Sequence, residues 1–156
     1  MKSKAKVKPI PDGYHTVTPM IVVEGADKVI RFLEKVFDAK ELGRVSRPDG
    51  KIGHAEVKVG DSKVMISEAG GSKDCVATPA NLYVYVKDVD AAYKRALKAG
   101  ASKMMEPADM FWGDRWGAVR DAAGNSWSIA THVEDVTPAE IEKRAAAAFA
   151  NRPAAA

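Results

Sequence analysis

Residues 81–101, NLYVYVKDVDAAYKRALKAGA, decide how this chain folds. Leu82 to Val86 alternate aliphatic and aromatic side chains as a half-buried strand does, and Asp88 or Asp90 then offers an oxygen to cap a helix. Val89, Ala92, Tyr93, Ala96 and Leu97 recur at three and four spacing, with Lys94, Arg95 and Lys98 off that stripe. Gly100 supplies a left-handed residue where such a helix must end. The pattern has occurred once upstream, where Pro19 to Ala39 reads PMIVVEGADKVIRFLEKVFDA: an apolar strand, an aspartate near the helix start, and a stripe of Val29, Ile30, Leu33, Val36 and Phe37.

The residues after each helix match as well. The first half continues with strand-like runs at 41–47, 52–59 and 63–67, broken by Pro48-Asp49-Gly50 and Gly60-Asp61; the second continues at 103–106, 115–120 and 126–131, broken around Gly113 and at Ala123-Gly124. The chain therefore divides into a tail (1–13), a first βαβββ unit (14–69), a linker (70–80), a second βαβββ unit (81–134), a C-terminal helix (135–151) and a short tail (152–156). Thr137-Pro138-Ala139-Glu140 starts that last helix with a cap, a proline at the first helical position and the glutamate of a capping box. Its apolar stripe is thin: Ile141, Ala145, Ala148 and Phe149. The expected class is α+β.

Composition removes several function classes. A net charge of +3, from 24 basic and 21 acidic residues evenly spread, argues against nucleic acid as a partner. No window is apolar for long enough to span a membrane, and the basic start, MKSKAKVKPIPDG, runs into proline and glycine instead of the apolar core of a secretion signal. The single Cys75, in the linker GGSKDCVATPA, excludes an internal disulfide and fits a reducing, cytoplasmic location. Dinucleotide and P-loop glycine patterns are absent, as is a G-x-S-x-G elbow.

The duplicated unit, with DGKIGHAEVKVGDSKVMIS in the first copy and FWGDRWGAVRDAAGNSWSIATHVEDVTPAE in the second, resembles the vicinal-oxygen-chelate superfamily of glyoxalase I, bleomycin-resistance proteins and extradiol dioxygenases. Within it the chain is most similar to the PhnB-like branch, through an aromatic-Gly-Asp-Arg loop and a D-x-x-G-x-x-W-x-[IL]-A-T-H-x-E-D segment. The resemblance implies two units whose sheets curl around a central cavity, often completed by a second subunit, and so a homodimer. It also implies metal positions on the first and fourth strands of each unit, which fall on Thr18, Ile66, Asn81 and Ser128. None is a usual ligand for a divalent ion, so neither a metal nor another cofactor is expected. A two-residue shift would bring in Glu68, with His15 nearby, and that alternative stays open.

Two further groups carry chemistry. His54 and Glu56 share one face of a strand opposite Ala55, Val57 and Val59; they either line the cavity as a proton carrier and its orienting partner or sit in solvent. Phe111, Trp112, Arg115 and Trp116 form an aromatic loop with a cationic fork, suited to stacking a ligand and holding its anionic group; alternatively Asp114 and Arg115 hold the loop while Phe111 and Trp116 are core. Trp127 reads as helix-side core, and His132 as a hydrogen-bonding residue past the last strand. The expected function is binding of a small organic molecule in a metal-free cavity. The alternative is a glyoxalase-type lyase, isomerase or dioxygenase using His54 and Glu56 or an unrecognised divalent metal.

Overall fold

The computed structural model describes residues 7–152. Residues 1–6 of the expected first tail and 153–156 of the last lie outside the described residues. The chain forms two compact units, 1–80 and 81–156. The first contains β1 (Met20–Val23), α1 (Ala26–Phe37), β2 (Lys40–Ser46), β3 (Ile52–Val59) and β4 (Ser62–Glu68). Its sheet runs β1-β4-β3-β2, with β1 parallel to β4 and the other pairs antiparallel. The second contains β5 (Asn81–Tyr85), α2 (Val89–Lys98), β6 (Ser102–Asp109), β7 (Asp114–Arg120) and β8 (Ser126–His132), in the equivalent order β5-β8-β7-β6. This is the α+β class the sequence predicts.

Segments 7–13 and 14–19 contain turns and bends but no strand, so among the described residues regular structure begins at Met20. The 7–13 segment is nonetheless tied down: Lys63 donates to the Asp12 carbonyl, and Tyr14 N–H to that of Pro11.

Each sheet has one face under its helix. Ile21, Val23, Ala55, Val57, Val64 and Ile66 are buried with Val29, Ile30, Leu33 and Val36 of α1, as the period-two and period-3.6 patterns require. In the second unit Val119, Trp127 and Ile129 are buried with Val89, Ala92, Tyr93 and Ala96 of α2.

The start of each helix is held by the last strand of its own unit. Gly25, in the left-handed region at φ 84°, gives α1 no side-chain cap. Glu68 at the end of β4 substitutes, accepting from Gly25 N–H (3.0 Å) and Ala26 N–H (2.7 Å). Burial alone would raise this carboxyl, but those backbone donors, with Lys51 and Arg47, hold it below the ordinary value. In α2 the cap is Asp88, accepting from Ala91 N–H, and Thr131 of β8 accepts from Val89 N–H while donating to the Val86 carbonyl.

The D-x-x-G-x-x-W segment is a turn held from below by buried Asp121, Asn125 and Trp127. Asp121, 6% exposed, accepts from Ala123 N–H, Asn125 N–H, the Asn125 amide and the Trp127 indole, all between 2.8 and 3.0 Å. Helix α3 (Pro138–Ala150) is capped by Thr137 and has no buried residue. Ile141 and Ala145 are half-covered, whereas Ala148 and Phe149 are exposed. Glu140 accepts from Arg144, which also grips Glu134 through two bonds.

Replacing Asp121 by alanine removes one acceptor shared by four donors. Asp121→Ala should lower stability by about 3 kcal/mol, read as a reduced urea midpoint with little change in slope.

Candidate functional site

The second sheet places its chemistry on the face away from α2. Tyr83 and Tyr85 are alternate residues of β5, paired in register with Ser128 and Ala130 of β8, which in turn face Ala118 and Trp116 of β7. The small side chains of the middle strand let both tyrosines lie across it. Their hydroxyls reach Asp114, at the start of β7, and donate to Oδ2 at 2.8 and 2.9 Å. The Trp112 indole donates to the same oxygen at 3.2 Å, and His132 Nδ1 meets Oδ1 at 2.9 Å.

Asp114 is 2% exposed. Burial would push its carboxyl up, but donation from His132, Tyr83, Tyr85 and Trp112 outweighs that and holds it below the usual range. Burial and then the Asp114 hydrogen bond push the Tyr83 hydroxyl well above its usual range; for Tyr85 the Asp114 bond comes first. Both tyrosines are therefore firm neutral donors and not phenolates. His132 Nε2 meets Asp135 at 2.8 Å, and Asp135 followed by Asp114 raises its pKa.

The rings stay open to solvent although their polar ends are fixed. Tyr83 is 45% and Tyr85 63% exposed, with centroids 5.2 Å apart. The aromatic surface continues through Trp112, 6.2 Å from Trp116 and edge-on to Phe111, and Phe111 meets Phe149 of α3 edge-on. Gly113 makes the loop possible: its φ is 101°, and a Cβ there would collide with the Glu134 carbonyl oxygen. Its own carbonyl accepts from Val133 and Glu134 N–H, fastening the loop to the segment after β8.

Of the sequence-predicted residues, Phe111, Trp112 and Trp116 come together in this cluster. Arg115 does not. One position on from Asp114, its guanidinium turns to α2 and grips Asp90 through two bonds (2.8 and 2.9 Å), with Asp109 at 3.2 Å. In the alternative reading Asp114 and Arg115 hold the loop, and here they do so through separate partners, Asp114 with the tyrosines and Arg115 with Asp90. His132 is the last residue of β8 rather than a residue beyond it. Trp127 is 1% exposed, as expected.

His54 and Glu56 lie on the face of the first sheet away from α1, 3.8 Å apart and each more than one-third exposed. The Tyr14 hydroxyl sits beside Glu56, which raises its pKa, and Lys63 lies 4.0 Å over the Tyr14 ring.

The positions read as metal ligands need correcting. Ile66 is fully buried on the helix side, and Glu68 shares that side as the α1 cap, so neither can meet an ion on the opposite face. Thr18 precedes β1 and donates to the His15 carbonyl. The pairs of first and fourth strands that share the open face are Met20 with Met65 and Val22 with Ser67 in the first unit, and Asn81 with Ser126, Tyr83 with Ser128 and Tyr85 with Ala130 in the second. These donor sets do not fit a divalent ion. Among the described residues, no cluster of three or more His, Cys, Asp or Glu has metal-binding geometry.

Sequence reasoning missed Tyr83, Tyr85 and Asp114 as partners. Two tyrosines at alternate positions on one strand carried the signal, but the register linking them to Asp114 did not.

Comparison with known proteins defines the class. The model of the Glyoxalase/Bleomycin resistance protein/Dioxygenase superfamily matches residues 14–129, and this chain belongs to that superfamily. An uncharacterised protein of Mycobacterium tuberculosis strain H37Rv, Rv0887c, is 39% identical over 135 residues, covering 81% of this chain and 79% of the relative. Among solved structures, TioX from Micromonospora sp. ML1 is 28% identical with a TM-score of 0.60, covering 75% of this chain and 99% of that one. A PhnB protein from Bacillus cereus, described as a putative 3-demethylubiquinone-9 3-methyltransferase, shares the fold at 19% identity and a TM-score of 0.61, over 75% of this chain and 99% of its own.

His132 should titrate above its ordinary value of 6.5, and Asp135→Asn should move it back down, as read by NMR of the imidazole protons. Because its folded pKa is raised, its stabilising contribution is complete below 6.5 and is lost as pH rises through the raised value. Asp114 acts in the opposite sense: its contribution is present above 3.8 and is lost as pH falls through its depressed value.

Proposed function

We propose that this protein binds a planar small organic molecule on the aromatic surface of its second unit. One observation carries the reading: the Tyr83 and Tyr85 rings are held by their hydroxyls to a buried carboxylate although both residues stay exposed. A ring fixed in advance loses little conformational freedom when a flat ligand stacks on it. Trp112 and Trp116 extend the surface and report on it. Titration with flat heteroaromatic compounds should quench tryptophan emission, and Tyr83→Ala with Tyr85→Ala should weaken binding roughly tenfold by removing two stacking contacts. Binding unaffected by that double substitution would overturn the assignment.

The reading includes no resident metal, supported by the methionine, tyrosine and serine side chains on the open faces of the first and fourth strands. A stoichiometric ion in protein purified without chelator would refute this part.

It also includes a homodimer in a reducing compartment. Exposed Leu42 and Val45 on β2 and Met104 and Met105 on β6 support self-association, and unpaired Cys75 supports the compartment. Sedimentation equilibrium should give twice the chain mass. No helix among the described residues is long and apolar enough to cross a membrane.

A second reading, acid–base chemistry at His54 and Glu56, is favoured by the imidazole and carboxylate lying 3.8 Å apart on the open face of the first sheet. Turnover abolished by Glu56→Gln but retained in the double tyrosine variant would select it.

A further inference from the structure

The hydrogen-bond donors of the aromatic cluster are already committed. Tyr83 and Tyr85 O–H and the Trp112 indole N–H all point at Asp114 Oδ2. Protonated His132 spends one N–H on Asp114 and the other on Asp135. The Trp116 indole N–H is buried, without an acceptor among the described residues, and is sequestered from anything arriving above the rings. Arg115, the cation of the loop, lies on the other side of the sheet with Asp90 and Asp109. Asn81, Ser126 and Arg120 share this face in the row beyond Ser128, and Arg152 already lies 5.4 Å over the Phe149 ring at the far end of the cluster. Apart from these and the Ser128 hydroxyl, which can turn either way, the groups left to meet a ligand at Tyr83 and Tyr85 are ring faces, phenol lone pairs and the exposed carboxylate of Asp135.

All of these are electron-rich. An aromatic face carries partial negative charge and attracts cations, most strongly when the ring cannot turn away. The positive charge of His132 is already answered by the two aspartates that hold it, so it offers little to an anion. We propose that this surface selects planar aromatic cations, meaning heteroaromatic rings protonated or alkylated on nitrogen, over neutral or anionic rings of the same shape. The inference rests on the proposed stacking function and adds the charge of the ligand to it.

Three-ring probes of matched outline separate the two statements. They are 9-aminoacridine, cationic near neutral pH; 9-anthracenemethanol, neutral; and 9-anthracenecarboxylate, anionic. Equilibrium dialysis against the full chain should show 9-aminoacridine bound roughly tenfold more tightly than the carboxylate, with the alcohol between them. The chain carries a net charge of +3, so nonspecific attraction would give the reverse order. Tyr85→Leu, at an exposed ring, should reduce retention of the cation by about fivefold. If the carboxylate or the alcohol binds as tightly as the cation, the charge preference is wrong and the stacking surface stands. If cation retention is unchanged in Tyr85→Leu, the cation binds elsewhere and the inference falls. Should none of the three probes be retained at millimolar concentration, the stacking function itself is refuted, and this inference with it.

Discussion

A single buried carboxylate organises the second unit. Asp114 is almost fully removed from water, and an isolated charge in that position would be strongly disfavoured. It is tolerated because four side chains from β5, β8 and the preceding loop converge on it. The same requirement fixes the directions of those side chains. Two tyrosines that could swing freely from an outer strand are drawn across the sheet, and a tryptophan is turned by its indole nitrogen. The aromatic surface thus follows from satisfying one charge.

The residues of the Gly-Asp-Arg loop divide the work by strand parity. Gly113 allows a close backbone approach that no side chain would permit, Asp114 faces the rings, and Arg115 turns to the start of α2. Asp121 performs a similar holding task beneath the turn before β8, where Asn125 and Trp127 share it. What looks in a sequence like a run of reactive groups is mostly a set of internal fastenings. The first sheet has no counterpart to Asp114: its open face carries His54, Glu56 and Met65, and the two units have the same scaffold with different surfaces.

The duplicated architecture was legible because it is written in periodicities. The stripes on α1 and α2 and the alternation in β3 read directly as elements, and the Thr137-Pro138 start marked α3. Parity along a strand is legible only when the register is right, and there the reading of Ile66 and Glu68 went astray by one face. Arg115 failed for the same reason, since its neighbour Asp114 took the ring side. Tyr83, Tyr85 and Asp114 meet across three strands, and no local pattern announces a contact between residues so far apart in the chain. Phe111, Trp112 and Trp116 could be grouped in advance because they lie within six residues of one another, in the loop before β7 and at its third position.

The caps on α1 and α2 have a consequence for how the chain matures. Glu68 and Thr131 are each contributed by the final strand of their unit, so the Gly25 and Ala26 amides of α1 and the Val89 amide of α2 remain dependent on water until that strand has docked, whereas Asp88 serves the Ala91 amide locally. Early local helix formation is thereby tied to the latest long-range pairing of the same unit, which favours all-or-none completion over a persistent helical fragment. During translation the amino-terminal half completes its bonds only once the chain beyond Glu68 has also emerged, because Ala69 and Thr78 N–H donate back to the Val23 and Val22 carbonyls of β1.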